Sequence, residues 1–363
     1  MKTRYLLVLF PIAILGHFLH WSHLTVFALA SISIIPLAGL IGEGTEHIAE
    51  KTGPKLGGLL NATMGNAAEL IITIFAIKEG LLELVKASIT GSILGNLLLV
   101  LGASILVGGV KHGKQKFHRT QASVNATMLI LAVIALVVPS IFGATVKSVE
   151  AGSPSPFSNL GVDPSVEALS LGVASLMIAI YVLGVIYSFR TSNDSPLVRE
   201  AAHLPSTEGW SIRKSLTILV LATAATAWVS EILVGSVEPV LESLGWTEFF
   251  LGIVIIPLVG NAAEHWVGVQ VAAKNQMDLS LEISVGSSLQ IALFVAPLLV
   301  FISLLMGNPL TLVFNQFELI ALVSASLIAG LVALDGESNW IEGAQLLVVY
   351  LILVLAFYFL PAI

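Results

Sequence analysis

The chain has 363 residues, of which 56% are hydrophobic and only 11% charged, and its mean hydropathy is +0.96. Soluble domains carry about 25% charged residues, so a soluble globular protein is excluded and the chain reads as an all-α polytopic membrane protein. A net charge of -7 with no dense Lys/Arg block excludes nucleic acid as a partner, and the absence of cysteine removes disulfides, thiolate metal sites and cysteine nucleophiles.

Apolar runs of the roughly 20 residues needed to span hydrocarbon occur near 5–21, 24–50, 57–78, 85–110, 121–142 and 165–189, then 213–237, 246–274, 281–307, 311–334 and 341–360, which predicts eleven transmembrane helices. Lys2 and Arg4 before the first run suit a signal peptide, but His17-Phe18-Leu19-His20-Trp21 offers no small-residue cleavage site and reads as a helix end with interfacial aromatics. The segments 143–164, with Pro154 and Pro156, and 190–211, with Pro196 and Pro205, read as surface connections. A partial phosphate-loop match at Gly108 to Gln115 lacks the hydroxyl residue after Lys114 and lies at a helix end, so it does not predict ATP binding.

With the N-terminus in the cytoplasm, thirteen basic residues fall inside: Lys2, Arg4, Lys51, Lys55, Lys111, Lys114, Lys116, Arg119, Arg190, Arg199, Arg213, Lys214 and Lys274. Three, Lys78, Lys86 and Lys147, fall outside, as the positive-inside rule requires. The predicted domains are an extra N-terminal helix (1–23), a first five-helix repeat (24–189), a cytoplasmic linker (190–212) and a second five-helix repeat (213–363). Five is odd, so the second repeat enters from the opposite face, giving the inverted topology that places transporter sites at the midplane between halves.

The repeat carries its own word. Gly65-Asn66-Ala67-Ala68-Glu69 recurs as Gly260-Asn261-Ala262-Ala263-Glu264, and Gly91-Ser92 recurs as Gly286-Ser287, both 195 residues on. Carboxylates in hydrocarbon are costly and mark working sites. On a helix Asn66 and Glu69 share a face, as do Asn261 and Glu264. The four side chains together give an oxygen cage for a hard cation such as Ca²⁺. Ser92 and Asn96 on one neighbouring helix, and Ser284, Ser287, Ser288 and Gln290 on the other, supply polar atoms to line the site, with interhelical hydrogen bonding as their alternative role. His265 follows Glu264 and is a candidate proton relay, although it points about 100° away from it on a helix. Thr45-Glu46 and Ser230-Glu231 look like counterparts, so Glu46 and Glu231 are candidates for the proton or cation pathway, against the plainer reading of a Glu reaching headgroups.

Two carboxylates packed together in a low-dielectric site need a cation or protons to offset their charge. A site that holds either metal or protons, with alternating access, exchanges one for the other. That makes Ca²⁺ and H⁺ transported substrates and predicts no cofactor.

On the run from Gly57 to Ile71, on Pro257 to His265, on Gly286-Ser287-Ser288-Leu289-Gln290 and on the Thr45-Glu46 and Ser230-Glu231 pairs, the chain resembles the cation/proton exchanger (Ca²⁺/H⁺ antiporter) family of the cation/Ca²⁺ exchanger superfamily. The resemblance implies one N-terminal helix plus two inverted five-helix repeats. It also implies Ca²⁺ binding by Glu69 and Glu264, and alternating access by sliding of the second and seventh helices. Many relatives carry a strongly acidic segment between the repeats, whereas this linker has only Asp194, Glu200 and Glu208, which speaks against regulation by an acidic helix. Long N-terminal extensions of plant relatives are absent, which points to a prokaryotic plasma membrane; other divalent cations as cargo and assembly as a homo-oligomer stay open. The rivals are a Na⁺/Ca²⁺ exchanger of the same superfamily, which needs further oxygen sites for Na⁺, a passive cation channel and a membrane metalloenzyme. An antiparallel duplicated site argues against a symmetric pore, and no nucleophile constellation supports an enzyme.

Overall fold

The computed structural model describes residues 2–52, 60, 63–150, 163–190 and 209–361. A tight turn of helix, Lys2–Val8, leads into α1 (Leu9–Phe18), α2 (His23–Thr52), α3 (Ala67–Lys78), α4 (Leu82–His112), α5 (Arg119–Glu150) and α6 (Pro164–Arg190). The second half holds α7 (Ile212–Gly235), α8 (Val237–Leu244), α9 (Glu248–Gly260), α10 (Ala262–Ala272), α11 (Met277–Met306), α12 (Gln316–Ala333) and α13 (Trp340–Phe359). Strands β1 (Gln115–Lys116) and β2 (Glu337–Ser338) pair antiparallel, Gln115 opposite Ser338, and tie the connection after α4 to the one before α13.

Among the described residues eight helices are long and apolar enough to cross a membrane, nine if the bent pair α8–α9 counts as one span. The chain is an integral membrane protein, but this count falls below the expected eleven for three local reasons. The first run forms only a short helix. Of the predicted span 57–78, residues 57–59 and 61–62 lie outside the described residues, and α3 starts at Ala67. The predicted continuous span 246–274 is instead two helices, α9 and α10, interrupted at Asn261, and α8 bends 114° away from α9. The surface connection expected from residue 143 begins later, because α5 runs on to Glu150; residues 151–162 and the linker residues 191–208, with Asp194, Glu200 and Glu208, lie outside the described residues.

α4 and α11 occupy the centre: 72% of the most apolar stretch of α4 and 56% of that of α11 are buried inside the protein, against 17% for α6. Both central helices contain wide turns, Gly95–Val100 in α4 and Glu282–Gly286 and Ile291–Val295 in α11, and α9 has another at Leu251–Ile255. Such π turns insert an extra residue into a helix and recur at functional sites. Small residues set the tightest crossings. A Cβ at Gly343 of α13 would stand 2.3 Å from the Leu106 nitrogen of α4, and one at Gly91 of α4 would stand 2.0 Å from the Ile253 carbonyl oxygen of α9.

α2 packs along α7 in the opposite direction. Its Gly44 faces Ser215 and Leu219 near the start of α7, and Val26 shares a cavity wall with Ser236 just beyond the end of α7. Lys51 donates to the Trp210 carbonyl, Lys111 donates to the Ala273 carbonyl, and Lys78 pairs with Glu231 at the opposite ends of α3 and α7.

Candidate cation site

Both Glu69 and Glu264 stand in the first turn of a half-helix. Asn66 (φ -92°, ψ 16°) begins α3 and Asn261 (φ -104°, ψ 9°) begins α10, and neither side chain accepts a capping bond. Each Asn is the residue at which the helix is interrupted, and each lies one turn before its Glu. The word Asn-x-x-Glu is a capping-box signature, and the chain contains it four times. Asn315 with Glu318 and Asn339 with Glu342 close the box, each Asn accepting from the backbone and each Glu reaching back. The two copies in the repeat leave it open, freeing two amides and two carboxylates to face each other across the halves. Their uncapped helix N-termini also point backbone N–H groups at this region.

The network is reciprocal. Ser92 of α4 donates to Glu69, and Asn261 of the other half donates to Ser92 Oγ at 3.1 Å. Ser287 of α11 donates to Glu264 at 2.9 Å and lies 3.4 Å from Asn66 Oδ1, again of the other half. Each carboxylate is thus held by the serine of its own half, and each serine touches the asparagine of the opposite half. Asn96 donates to Ser287 Oγ at 3.1 Å and Asn66 donates to Gln290 Oε1 at 2.9 Å, which adds both to the cluster. Glu69, Asn66, Asn261, Ser92 and Asn96 are all buried, and Glu69 Oε2 is a buried oxygen with no hydrogen-bond partner among the described residues. Glu264 is only half-buried. The two carboxylates are joined through the serine–asparagine network of the two halves.

The His265 ring sits beside Gly95, whose Cβ position would be 3.8 Å from Cε1, and its buried Nε2 has no hydrogen-bond partner. Ser288 donates to the Ser284 carbonyl in its own helix. Glu46 is half-buried on α2 and engaged, and Glu231 is exposed and paired with Lys78 at 3.0 Å. The ion pair of Glu231 thus goes to Lys78 at the end of α3.

Among the described residues no group of three or more His, Cys, Asp or Glu could hold a metal. A divalent ion here would take two carboxylates and complete its shell from amide, hydroxyl and water oxygens, which suits the six to eight oxygens and loose geometry of Ca²⁺ better than a rigid transition-metal site. The unpartnered Glu69 oxygen fits a cation or a proton as its missing partner.

The family pattern of the sodium/calcium exchanger protein matches residues 22–190 and 214–359, which is most of the chain. The chain belongs to this family. Within the exchanger family it is 44% identical over 99% of its own length, and 96% of the relative's, to a Ca²⁺/H⁺ antiporter of Aphanothece halophytica. It is 43% identical to the Ca²⁺/H⁺ antiporter ChaA of Bacillus subtilis, with 96% of both chains covered. The solved structure of native YfkE superposes with a TM-score of 0.83 at 40% identity, covering 99% of this chain and 100% of that one. The sequence resemblance to the Ca²⁺/H⁺ antiporter branch therefore holds.

Sequence reading missed one buried carboxylate of the same depth. Glu318, in the first turn of α12, is 1% exposed and accepts from Thr90 of α4 at 3.0 Å. The signal was the third copy of Asn-x-x-Glu, which lies inside the predicted run 311–334 and outside the repeated words.

Proposed function

We propose that this protein is a secondary active antiporter that exchanges Ca²⁺ for H⁺, with Glu69 and Glu264 holding either one metal ion or protons and Asn66 and Asn261 completing the cage. The observation that carries the reading is the reciprocal network in which Ser92 and Ser287 each join a carboxylate of one half to an asparagine of the other. It is supported by the open capping words at Asn66 and Asn261 and by the naming of the relatives as Ca²⁺/H⁺ antiporters. Ser92, Ser287, Asn96 and Gln290 line the site, and His265 stands beside it as a proton-handling group.

The same reading takes the chain as eleven spans, with inverted five-helix repeats at 24–189 and 213–363 around a linker, and access switched by α2 and α7. Support comes from the antiparallel packing of α2 on α7 and from the 195-residue offset shared by the site words. In this reading the N-terminus lies in the cytoplasm, which the segregation of basic residues supports. Cytoplasmic loading of Ca²⁺ against an inward proton gradient then gives export.

The test is ⁴⁵Ca²⁺ uptake into proteoliposomes with an imposed pH gradient and no Na⁺. Uptake by wild type, lost in Glu69→Gln and in Glu264→Gln, is the expected result. Uptake driven only by a Na⁺ gradient would replace the coupling ion with that of a Na⁺/Ca²⁺ exchanger, and uptake unchanged in both variants would overturn the site.

A further inference from the structure

Three consecutive residues of α4 are each tied to a different helix. Thr90 Oγ1 donates to Glu318 Oε1 of α12 at 3.0 Å. Gly91 seats on the Ile253 carbonyl of α9, where a Cβ would stand at 2.0 Å. Ser92 donates to Glu69 of α3 and accepts from Asn261. Successive helical side chains point about 100° apart, so this one turn is gripped from three sides. Any slip of α4 along or about its axis moves Ser92 off Glu69.

Glu318 is more than a helix cap. Glu342, in the other closed capping box, spends both oxygens locally, accepting from the Asn339 backbone at 3.1 Å and from the Asn339 amide at 2.8 Å. Glu318 spends one oxygen on the Asn315 backbone, at 2.8 Å, and sends the other to α4. Thr90 lies eight residues into α4, about 12 Å along it, so the Glu318 carboxyl reaches nearly the depth of Ser92. Glu318 and Thr90 are both buried, and a carboxylate at that depth is costly unless it does something there. The device belongs to one half only: the positions 195 residues away are Val285 for Thr90 and Ser123 for Glu318, and neither can reproduce it.

We propose that Glu318 is a positioning residue of the cation site, acting through Thr90 to fix the α4 turn in the register at which Ser92 reaches Glu69. The proposal rests on the reading of Glu69 as a Ca²⁺ ligand, and its test uses equilibrium binding of ⁴⁵Ca²⁺ to purified protein, which needs no gradient. Thr90→Val, which matches threonine in shape and spares the cap, should raise the Ca²⁺ Kd about tenfold, while Thr90→Ser restores it and Glu342→Gln leaves it at the wild-type value. In a Ser92→Ala background the Thr90→Val change should have no further effect, because the register matters only through Ser92. A wild-type Kd in Thr90→Val, or effects of Thr90→Val and Ser92→Ala that simply multiply, would overturn the proposal and leave the exchange reading intact. Wild-type protein that binds no Ca²⁺ would overturn both. Glu318→Gln, with one carbonyl oxygen for two donors, should fall between wild type and Thr90→Val; a Kd equal to wild type in both variants counts against the clamp.

Discussion

Gly91 and Gly286 are the same residue in the repeat, yet alanine should be ruinous at one and harmless at the other. At Gly91 a Cβ would meet the Ile253 carbonyl oxygen at 2.0 Å, its carbon at 2.6 Å and its Cα at 2.7 Å, all backbone atoms that no rotamer change can move. Restoring an ordinary contact of 3.4 Å requires α4 and α9 to part by 3.4 - 2.0 = 1.4 Å. Half of that, passed to the adjacent Ser92, would stretch the 3.1 Å bond from Asn261 to about 3.8 Å, beyond hydrogen-bond range. Overpacking costs about 1–3 kcal/mol, which outweighs the roughly 1 kcal/mol that alanine gains over glycine in a helix. At Gly286 no atom of the described residues lies within 4 Å of the corresponding position, so only the helix gain remains. Equilibrium ⁴⁵Ca²⁺ binding and thermal unfolding read both effects. Gly91→Ala should weaken Ca²⁺ binding by at least about tenfold, since displacements near 1 Å cost on that order or more at a tuned site, and Gly286→Ala should stay within about twofold. Wild-type affinity in Gly91→Ala would refute the link between the α4–α9 crossing and the site.

Asn339→Ala should cost about 1 kcal/mol of stability by losing a cap without altering Ca²⁺ affinity, whereas Asn66→Ala loses no cap bond and should lower affinity with little change in melting; equal melting shifts in the two would show that the Asn66 box closes after all. A double-mutant cycle on Ser92→Ala and Asn261→Ala should give a coupling of about 0.5–3 kcal/mol in Ca²⁺ binding, and additivity would deny that their 3.1 Å bond serves the site. The pair outside the membrane titrates in a defined sense: the hydrogen bond from Lys114, and then its charge, hold Glu337 below the usual 4.5, and the same contacts hold Lys114 above 10.5. Glu337 therefore supports the β1–β2 ribbon fully above the ordinary carboxylate value and loses this as pH falls through its depressed one, while the Lys114 contribution is full below the ordinary ammonium value and fades as pH rises through its raised one. Hydrogen exchange at the Phe117 amide, which donates to the Gly336 carbonyl at 2.9 Å, should be faster in Lys114→Gln than in wild type at neutral pH, and the difference should vanish in acid; a difference that persists there would contradict the pairing.

Hydropathy was enough to place most of the long helices. The expected 24–50, 85–110, 213–237, 281–307 and 341–360 differ from α2, α4, α7, α11 and α13 by a few residues at each end, because burial in lipid is a property of composition and needs no partner. The breaks were not legible. Asn66 and Asn261 carry the same capping word as Asn315 and Asn339, and whether the box closes depends on Ser287, Gln290 and Ser92 arriving from distant helices. The same limit explains the single helix expected over 246–274 and the four wide turns, whose extra residues leave no mark in an apolar sequence. Glu69 and Glu264 stood out because a charge in hydrocarbon is conspicuous, and their serines because the offset repeated. Glu318 was masked by its ordinary local role, and its second bond, to Thr90, spans 228 residues.

The interrupted helices also set the electrical ledger of the site. Each half-helix that starts at Asn66 or Asn261 presents an N-terminus equivalent to about +0.5 elementary charge, so two such ends and two ionised carboxylates sum to about -1. One Ca²⁺, or two protons, takes the site to about +1 in either case. A cycle run by Glu69 and Glu264 alone would therefore carry the same charge in both directions, exchange two protons for each Ca²⁺ and move no net charge per turnover, so a net current coupled to the exchange would require a further charge to move with it.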